Sequence, residues 1–305
     1  HTVVGTQVND NLGHSCTGLG DIDGDDVPDY AAGVMNSMVT LAISGATGSI
    51  LHEWRGTFGV GEAGGWALLG RLDLDFDGVP DLVACAPGSR NGNNWTGRLR
   101  AYSGRDFGLL WELLSTPGHG SLTSFAESVA DLGLQPGSPY RVLAINEPSF
   151  TFVAPNLDGR LLHIRTNLPG AALQHGQGCS SNGTVPKIGL RRANSGLRLV
   201  TSAAPPGSLG WLMIDISRTV FQGTALPHAL DPYGLTGCSL LVGPGIFTTR
   251  IIGTIGLDRG YAAVDFAGSP TAGTGTDFFA QWLFLAPGPA GFEFATTAAH
   301  QFRLQ

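Results

Sequence analysis

Short apolar runs separated by Gly, Asn and Asp recur along the first half of the chain. They predict strands at 14–20, 30–34, 41–45 and 49–54, then at 65–72, 82–86, 99–104 and 109–114. A third set follows at 124–133, 139–144 and 159–165. After Pro169 the texture changes. Residues 173–186 are rich in Gly, Ser, Gln and Asn, which predicts a linker or an entry loop. Beyond it, eight strands are expected at 187–192, 197–203, 209–217, 238–242, 248–257, 261–266, 278–285 and 292–304, punctuated by Pro-Pro-Gly, Gly-Pro-Gly and similar turns.

The sets are copies of one another. Asp21-Ile22-Asp23-Gly24-Asp25-Asp26-Val27-Pro28-Asp29 returns 52 residues later as Asp73-Leu74-Asp75-Phe76-Asp77-Gly78-Val79-Pro80-Asp81. Each nonapeptide stands between a Gly-containing apolar segment and a small apolar run, 30–34 or 82–86. The third copy keeps the strands and loses the charge: Leu132, Leu134, Pro136 and Tyr140 stand where the other copies carry Asp. A four-stranded unit of about 50–60 residues, repeated, is the sequence form of a β-propeller blade. These segments resemble FG-GAP repeats, the blades of the integrin α-type propeller, whose signature is Asp-x-Asp-x-Asp-Gly-x-x-Asp, often followed by Gly-Ala-Pro. The second copy matches and continues as Ala86-Pro87-Gly88; the first departs at the sixth position, where Asp26 stands, although Asp tolerates φ > 0. The resemblance implies blades at about 1–58, 59–117 and 118–170. Three blades are fewer than the four to eight of ordinary propellers. The ring is therefore expected to be incomplete: open and capped, completed by other chains, or continued by blades hidden further on.

Residues 171–305 are expected to form a β-sandwich or jelly-roll-like module. With its Gly178-Cys179 and Gly237-Cys238 steps and its Gln281-Trp282 pair, this half resembles a C-terminal module that follows FG-GAP repeats in long secreted bacterial proteins. No activity carries over from that resemblance.

Composition narrows the class further. Of 305 residues, 46 are glycine and only 13% are charged, which excludes a coiled coil; 42% are hydrophobic, which argues against disorder. The glycines show no Gly-X-Y period, so collagen is excluded as well. An all-β, loop-rich protein remains. A net charge of −7 and a single lysine, Lys187, exclude nucleic acid as partner. The longest apolar stretch, around 278–286, is broken by Gln281 and is about half a membrane span. The chain begins at His1 and shows no signal peptide, which predicts a processed, secreted or cell-surface form. Four cysteines fit two disulfides in an oxidising compartment. Of the three pairings, Cys179–Cys238 with Cys16–Cys85 is preferred, the latter stapling blade one to blade two.

The acidic nonapeptides carry the strongest chemical signal, holding nine of 18 aspartates. Like charges this dense must hold a cation or shift their pKa values upward. Side chains at positions one, three, five and nine with the position-seven carbonyl offer five or more hard oxygens, a set suited to Ca²⁺. An EF-hand would place Glu at position twelve, where Ala32 and Ala84 stand. The FG-GAP resemblance implies ligands at Asp21, Asp23, Asp25, the Val27 carbonyl and Asp29, and at Asp73, Asp75, Asp77, the Val79 carbonyl and Asp81, for two Ca²⁺ ions whose role is to pin a blade corner.

Other chemistry is sparse. The eight histidines show no His-x-His or His-x-x-x-His spacing, and Gly-x-Ser-x-Gly and phosphate-loop motifs are absent. Glu127 and Glu147 form the least remote carboxylate pair for glycoside cleavage. Trp54 and Trp111 occupy matching fourth-strand positions and are expected to pack between blades, whereas Trp95 is the candidate exposed contact. The expected protein is a non-enzymatic, calcium-binding structural or adhesion protein. It would bind extracellular protein or glycan, or assemble with its own copies at a cell surface, in a matrix or in a filament. The alternative is an extracellular hydrolase acting on polysaccharide or ester on a propeller scaffold.

Overall fold

The computed structural model describes residues 1–5, 9–56, 65–91, 94–115, 122–134, 141–148, 159–166, 173–181, 183–193, 196–233, 235–267, 276–288 and 291–304. The protein is all-β, with 57% strand against 4% helix, and none of its several sheets closes into a barrel. The chain divides into two compact units: His1–Leu74 with Val79–Thr166, and Asp75–Gly78 with Asn167–Gln305.

The first unit contains three meanders. In the first, β1 (Leu12–Gly20), β2 (Asp29–Val34), β3 (Val39–Ile43) and β4 (Ile50–Arg55) pair in chain order, each antiparallel to the next. The second contains β5 (Ala67–Leu72), β6 (Asp81–Ala86), β7 (Arg90–Asn91), β8 (Asn94–Tyr102) and β9 (Leu109–Leu114). Its main sheet runs β5–β6–β8–β9, while β7 and a parallel strand β10 (Leu122–Phe125) join the start of β8. The third has three strands, β11 (Val129–Leu134), β12 (Arg141–Glu147) and β13 (Arg160–Arg165). Among the described residues, β13 has no fourth strand beside it. Among the described residues the repeat read from sequence thus appears as four strands in the first meander, four in the main sheet of the second with β7 and β10 added, and three in the third.

The second strand of each complete meander is buried along almost its whole length. That burial explains why these strands, Asp-Tyr-Ala-Ala-Gly-Val and Asp-Leu-Val-Ala-Cys-Ala, are small and apolar rather than alternating: both faces are covered. First strands lie against one another, β1 on β5 and β5 on β11. Ser15 Oγ donates to the Gly65 carbonyl at 2.8 Å, and Gly70 N–H donates to Thr17 Oγ1 at 3.1 Å. A core of Val83, Cys85, Leu99, Ala101, Phe125, Leu143 and Ile145 joins the second and third meanders. Trp54 tilts against Tyr102 and donates from Nε1 to the Phe107 carbonyl at 3.0 Å, while His52 stacks on Phe107. The matching-position tryptophan thus spans from the first meander to the second. Burial against these rings pushes the His52 imidazole below its ordinary pKa.

The second unit adds β14 (Leu173–His175), β15 (Cys179–Ser180), β16 (Lys187–Ala193), β17 (Gly196–Ser202), β18 (Leu209–Asp215), β19 (Val220–Phe221), β20 (Thr224–Ala225), β21 (His228–Ala229), β22 (Ser239–Leu240), β23 (Ile246–Ile251), β24 (Ala262–Ala267), β25 (Thr276–Gly288), β26 (Gly291–Thr296) and β27 (Ala299–Leu304). A seven-stranded sheet has the order β14–β27–β25–β18–β23, with β26 pairing β25 and β15; a second sheet is β16–β17–β24. One hydrophobic core takes Ile188, Leu190, Leu197, Leu199 and Val264 from the small sheet and Leu212, Trp282, Phe284 and Phe302 from the large one.

Two expectations shift here. The single run expected at 292–304 is two strands, because Thr297 turns into the sheet: its N–H donates to the Trp282 carbonyl and its Oγ1 accepts from Trp282 N–H, both at 3.0 Å. Gln281, which interrupts the apolar stretch, is fully buried and fully used. Its Oε1 accepts from Leu241 N–H at 2.8 Å, and its Nε2 donates to the Ser239 and Thr297 carbonyls at 3.1 and 3.0 Å. A buried amide with three partners fixes a segment in place, whereas an unpaired one would destabilise the sheet. The segment so fixed carries Cys238, bonded to Cys179 with Cα atoms 5.2 Å apart.

Candidate metal centre

The two nonapeptides connect β1 to β2 and β5 to β6. Each turns the chain through two left-handed residues, at positions four and six. In the first loop these are Gly24 and Asp26, with φ of 85° and 66°; in the second they are Phe76 and Gly78, with φ of 60° and 87°. One glycine serves each loop, but at opposite positions. The departure from the repeat signature at Asp26 is therefore a shift of the glycine by two residues, with the backbone shape kept. A left-handed non-glycine residue costs about 1–2 kcal/mol, less for Asp. Asp26→Gly is accordingly expected to stabilise the protein by about 0.5–1 kcal/mol, read as a rise in thermal midpoint.

Loop carboxylates hold their own backbone. Asp21 Oδ1 accepts from Gly24 N–H at 2.7 Å and its Oδ2 from Asp26 N–H at 3.0 Å, while Asp25 Oδ1 accepts from Val27 N–H at 2.9 Å. In the second loop Asp75 Oδ1 accepts from Asp77 N–H at 3.2 Å.

The ninth aspartate has a repeated second task. Asp29 Oδ2 accepts from Ile22 N–H at 2.8 Å and its Oδ1 from Gly45 N–H at 2.9 Å. Asp81 does the same with Leu74 N–H at 2.6 Å and Gly104 N–H at 3.0 Å. Each closes its acidic loop onto the turn after the third strand of the same meander. Glycine is required there, since a Cβ at Gly45 would lie 2.0 Å from the Pro28 carbonyl oxygen, and one at Gly104 would lie 1.8 Å from that of Pro80. Ser44-Gly45 and Ser103-Gly104 recur in the sequence at matching places. That recurrence was the available signal for a clamp that reading the acidic loops alone does not reveal.

Six of the eight expected carboxylates converge. Oxygens of Asp21, Asp23 and Asp29 lie within 4.8 Å of one another, and so do those of Asp73, Asp75 and Asp81, close enough that either group could hold a metal ion. Asp25 and Asp77 fall outside these groups; the Val27 and Val79 carbonyls remain the expected position-seven ligands. The loops differ in exposure. Asp23, Asp25 and Asp26 are open to solvent, whereas Asp75, Asp77 and Asp81 are 3%, 0% and 0% exposed. Partial desolvation, and then the neighbouring Asp29 charge, raise the Asp23 carboxyl above its ordinary value.

In the third copy an ion pair joins the strands that flank the loop. Arg141 Nη1 donates to Asp131 Oδ2, and Asp131 Oδ1 accepts from Gly133 N–H at 2.8 Å. Pro136 and Tyr140, where the third copy lacks Asp, lie outside the described residues, as does the side chain of Leu134.

The cysteine pairing needs correction. Cys179 and Cys238 are bonded, but Cys16 and Cys85 are free thiols. Cys16 sits exposed on β1, opposite Ala32. Cys85 is wholly buried in the core beside Leu99 and Ala101, where desolvation pushes its thiol well above the usual range. One sulfur faces solvent and the other the interior, so the first and second meanders are joined by packing and hydrogen bonds instead.

Glu147, half of the carboxylate pair weighed for a hydrolase, is fully buried. Its Oε1 accepts from Ser115 Oγ at 2.6 Å and its Oε2 from Arg160 Nε at 2.5 Å; Glu127 is half-buried. The Trp95 side chain lies outside the described residues. A pocket near the start of the chain gathers Asp10, Glu53 and Arg55 beside Leu12, Val34, Val39 and Leu41, with no histidine or cysteine in its described lining. No family model and no curated protein matches this sequence.

Proposed function

We propose that the chain is a calcium-stabilised extracellular structural or adhesion module. It is read as an incomplete FG-GAP-type propeller of three blades, followed by a β-sandwich. The observation that carries this reading is the pair of repeat-related carboxylate clusters, the second with two of its three members buried. Carboxylates held this close repel one another, most strongly where burial lowers the local dielectric, as at Asp75 and Asp81. A cation among Asp73, Asp75 and Asp81 would relieve that repulsion, and an all-oxygen set suits Ca²⁺ at about 2.3–2.6 Å. When bound, the ion neutralises the corner between β5 and β6; Asp21, Asp23 and Asp29 would hold its counterpart between β1 and β2.

The supporting features are coarser. Two four-stranded meanders and a three-stranded one, with first strands packed side by side, suit blades around a partial axis. In the second unit, two sheets sharing one core suit a sandwich. The Cys179–Cys238 bond fits an oxidising compartment, and among the described residues no helix is long and apolar enough to cross a membrane. Partners on this reading are further copies of the chain, or extracellular protein or glycan. The hydrolase alternative loses its best candidate acid, because Glu147 is committed to Ser115 and Arg160.

Chelation tests the reading. EDTA should lower the thermal midpoint, added Ca²⁺ should restore it, and Asp75→Ala with Asp77→Ala should abolish the dependence contributed by the second loop. A melting curve indifferent to chelator would overturn the proposal.

A further inference from the structure

Residues Asp75–Gly78, the tip of the second acidic loop, belong to the second compact unit. There they lie on β16 and β17, on the face that alternates with the core positions Ile188, Leu190 and Leu199. Ser202 Oγ donates to the Phe76 carbonyl at 3.1 Å. Gly189 leaves room for the loop, since a Cβ there would lie 2.2 Å from the Asp75 carbonyl oxygen and 2.9 Å from Phe76 Cβ. Asp75 and Asp77 are both buried. Among the described residues the first loop has no such seat. The N–H groups of Gly24, Asp25, Asp26 and Val27 bond only to carboxylates of their own loop, and Asp23, Asp25 and Asp26 are exposed.

We infer that the seat on β16 and β17 preorganises the second loop for its cation and makes the two sites unequal, the second tight and the first weak. The claim rests on the calcium reading above and adds an order of filling to it. Gathering carboxylates around an ion costs a loop its backbone freedom. The second loop has lost much of that freedom on folding, whereas the first loses it at the moment of binding. Site rigidity and ligand charge are the two levers that set Ca²⁺ affinity in oxygen-ligand loops. Ligand charge does not separate these two, because each brings three converging carboxylates. Rigidity does. The second ion is then a constant part of the fold, and the first loop is the one that responds to a changing calcium level.

Two measurements on the full chain test this. In EDTA, amide hydrogen exchange at Asp77 should be at least about tenfold slower than at its repeat counterpart Asp25, because the seat acts with no ion present. Calcium calorimetry should resolve two classes of site, the tighter one lost in Asp75→Ala with Asp77→Ala. Ser202→Ala removes the bond to the Phe76 carbonyl and should weaken the tight class about fivefold while leaving the weak class unchanged. Gly189→Val, which places bulk against the Asp75 carbonyl, should weaken the tight class further and speed exchange at Asp77; Ser202→Ala carries the test if that variant does not fold. Equal exchange at the two aspartates overturns the inference. So does a single affinity class, loss of the weaker class in the double-alanine variant, or a tight class unchanged by Ser202→Ala, and each of these leaves the calcium reading standing. Slow exchange at Asp77 in a chain that binds no calcium would overturn that reading and the unequal sites with it, leaving the seat as a structural contact.

Discussion

Asp81→Ala is expected to lower the free energy of unfolding by about 2–5 kcal/mol, measured by urea denaturation. The loss has two sources. Leu74 N–H and Gly104 N–H, now bonded to Oδ2 and Oδ1 at 2.6 and 3.0 Å, would be left buried without an acceptor, at about 1–3 kcal/mol each. The variant also removes one carboxylate from the second cluster. The hydrogen-bond part persists in EDTA, so the destabilisation should shrink on chelation but not vanish. Asp81→Asn keeps one carbonyl oxygen and loses the other acceptor, and should fall between wild type and Ala. A loss that disappears altogether in EDTA would show that the clamp contributes nothing beyond metal binding.

Cys179→Ala with Cys238→Ala is expected to cost about 4 kcal/mol, because the bond closes a loop across a separation of 59 residues in the unfolded chain. The native arrangement should survive. Gln281 still holds the neighbouring segment through Leu241 N–H and the Ser239 carbonyl, and Ser180 on β15 still pairs with Ala295. Denaturation midpoints of the oxidised protein and the variant should therefore differ while their native spectra agree. A collapsed native spectrum in the variant would mean that the bond holds the sheet rather than restraining the unfolded state.

Strand positions in the first half were legible because turns there are chemically marked. Asp, Asn and Gly punctuate runs whose ends are fixed by hydrogen bonds close in sequence, such as Asp29 to Ile22. The free thiols were not legible. Sequence placed Cys16 and Cys85 in successive copies, but only the pleat decides that one side chain points to solvent and the other into the core. Charge density in the nonapeptides pointed to a cation, yet the same aspartates are also turn-builders. Separating the two roles needed the distances at Asp29 and Asp81. In the second half, the run 292–304 gave no sign of its interruption, because Thr297 bonds to Trp282, a residue distant in sequence and on another strand.

Calcium titration calorimetry on the full chain, after exhaustive chelation and dialysis, tests the central claim most directly. The account predicts saturable binding of two ions per chain, falling to one in Asp75→Ala with Asp77→Ala. Failure to bind calcium at millimolar concentration, with the protein folded, would contradict it.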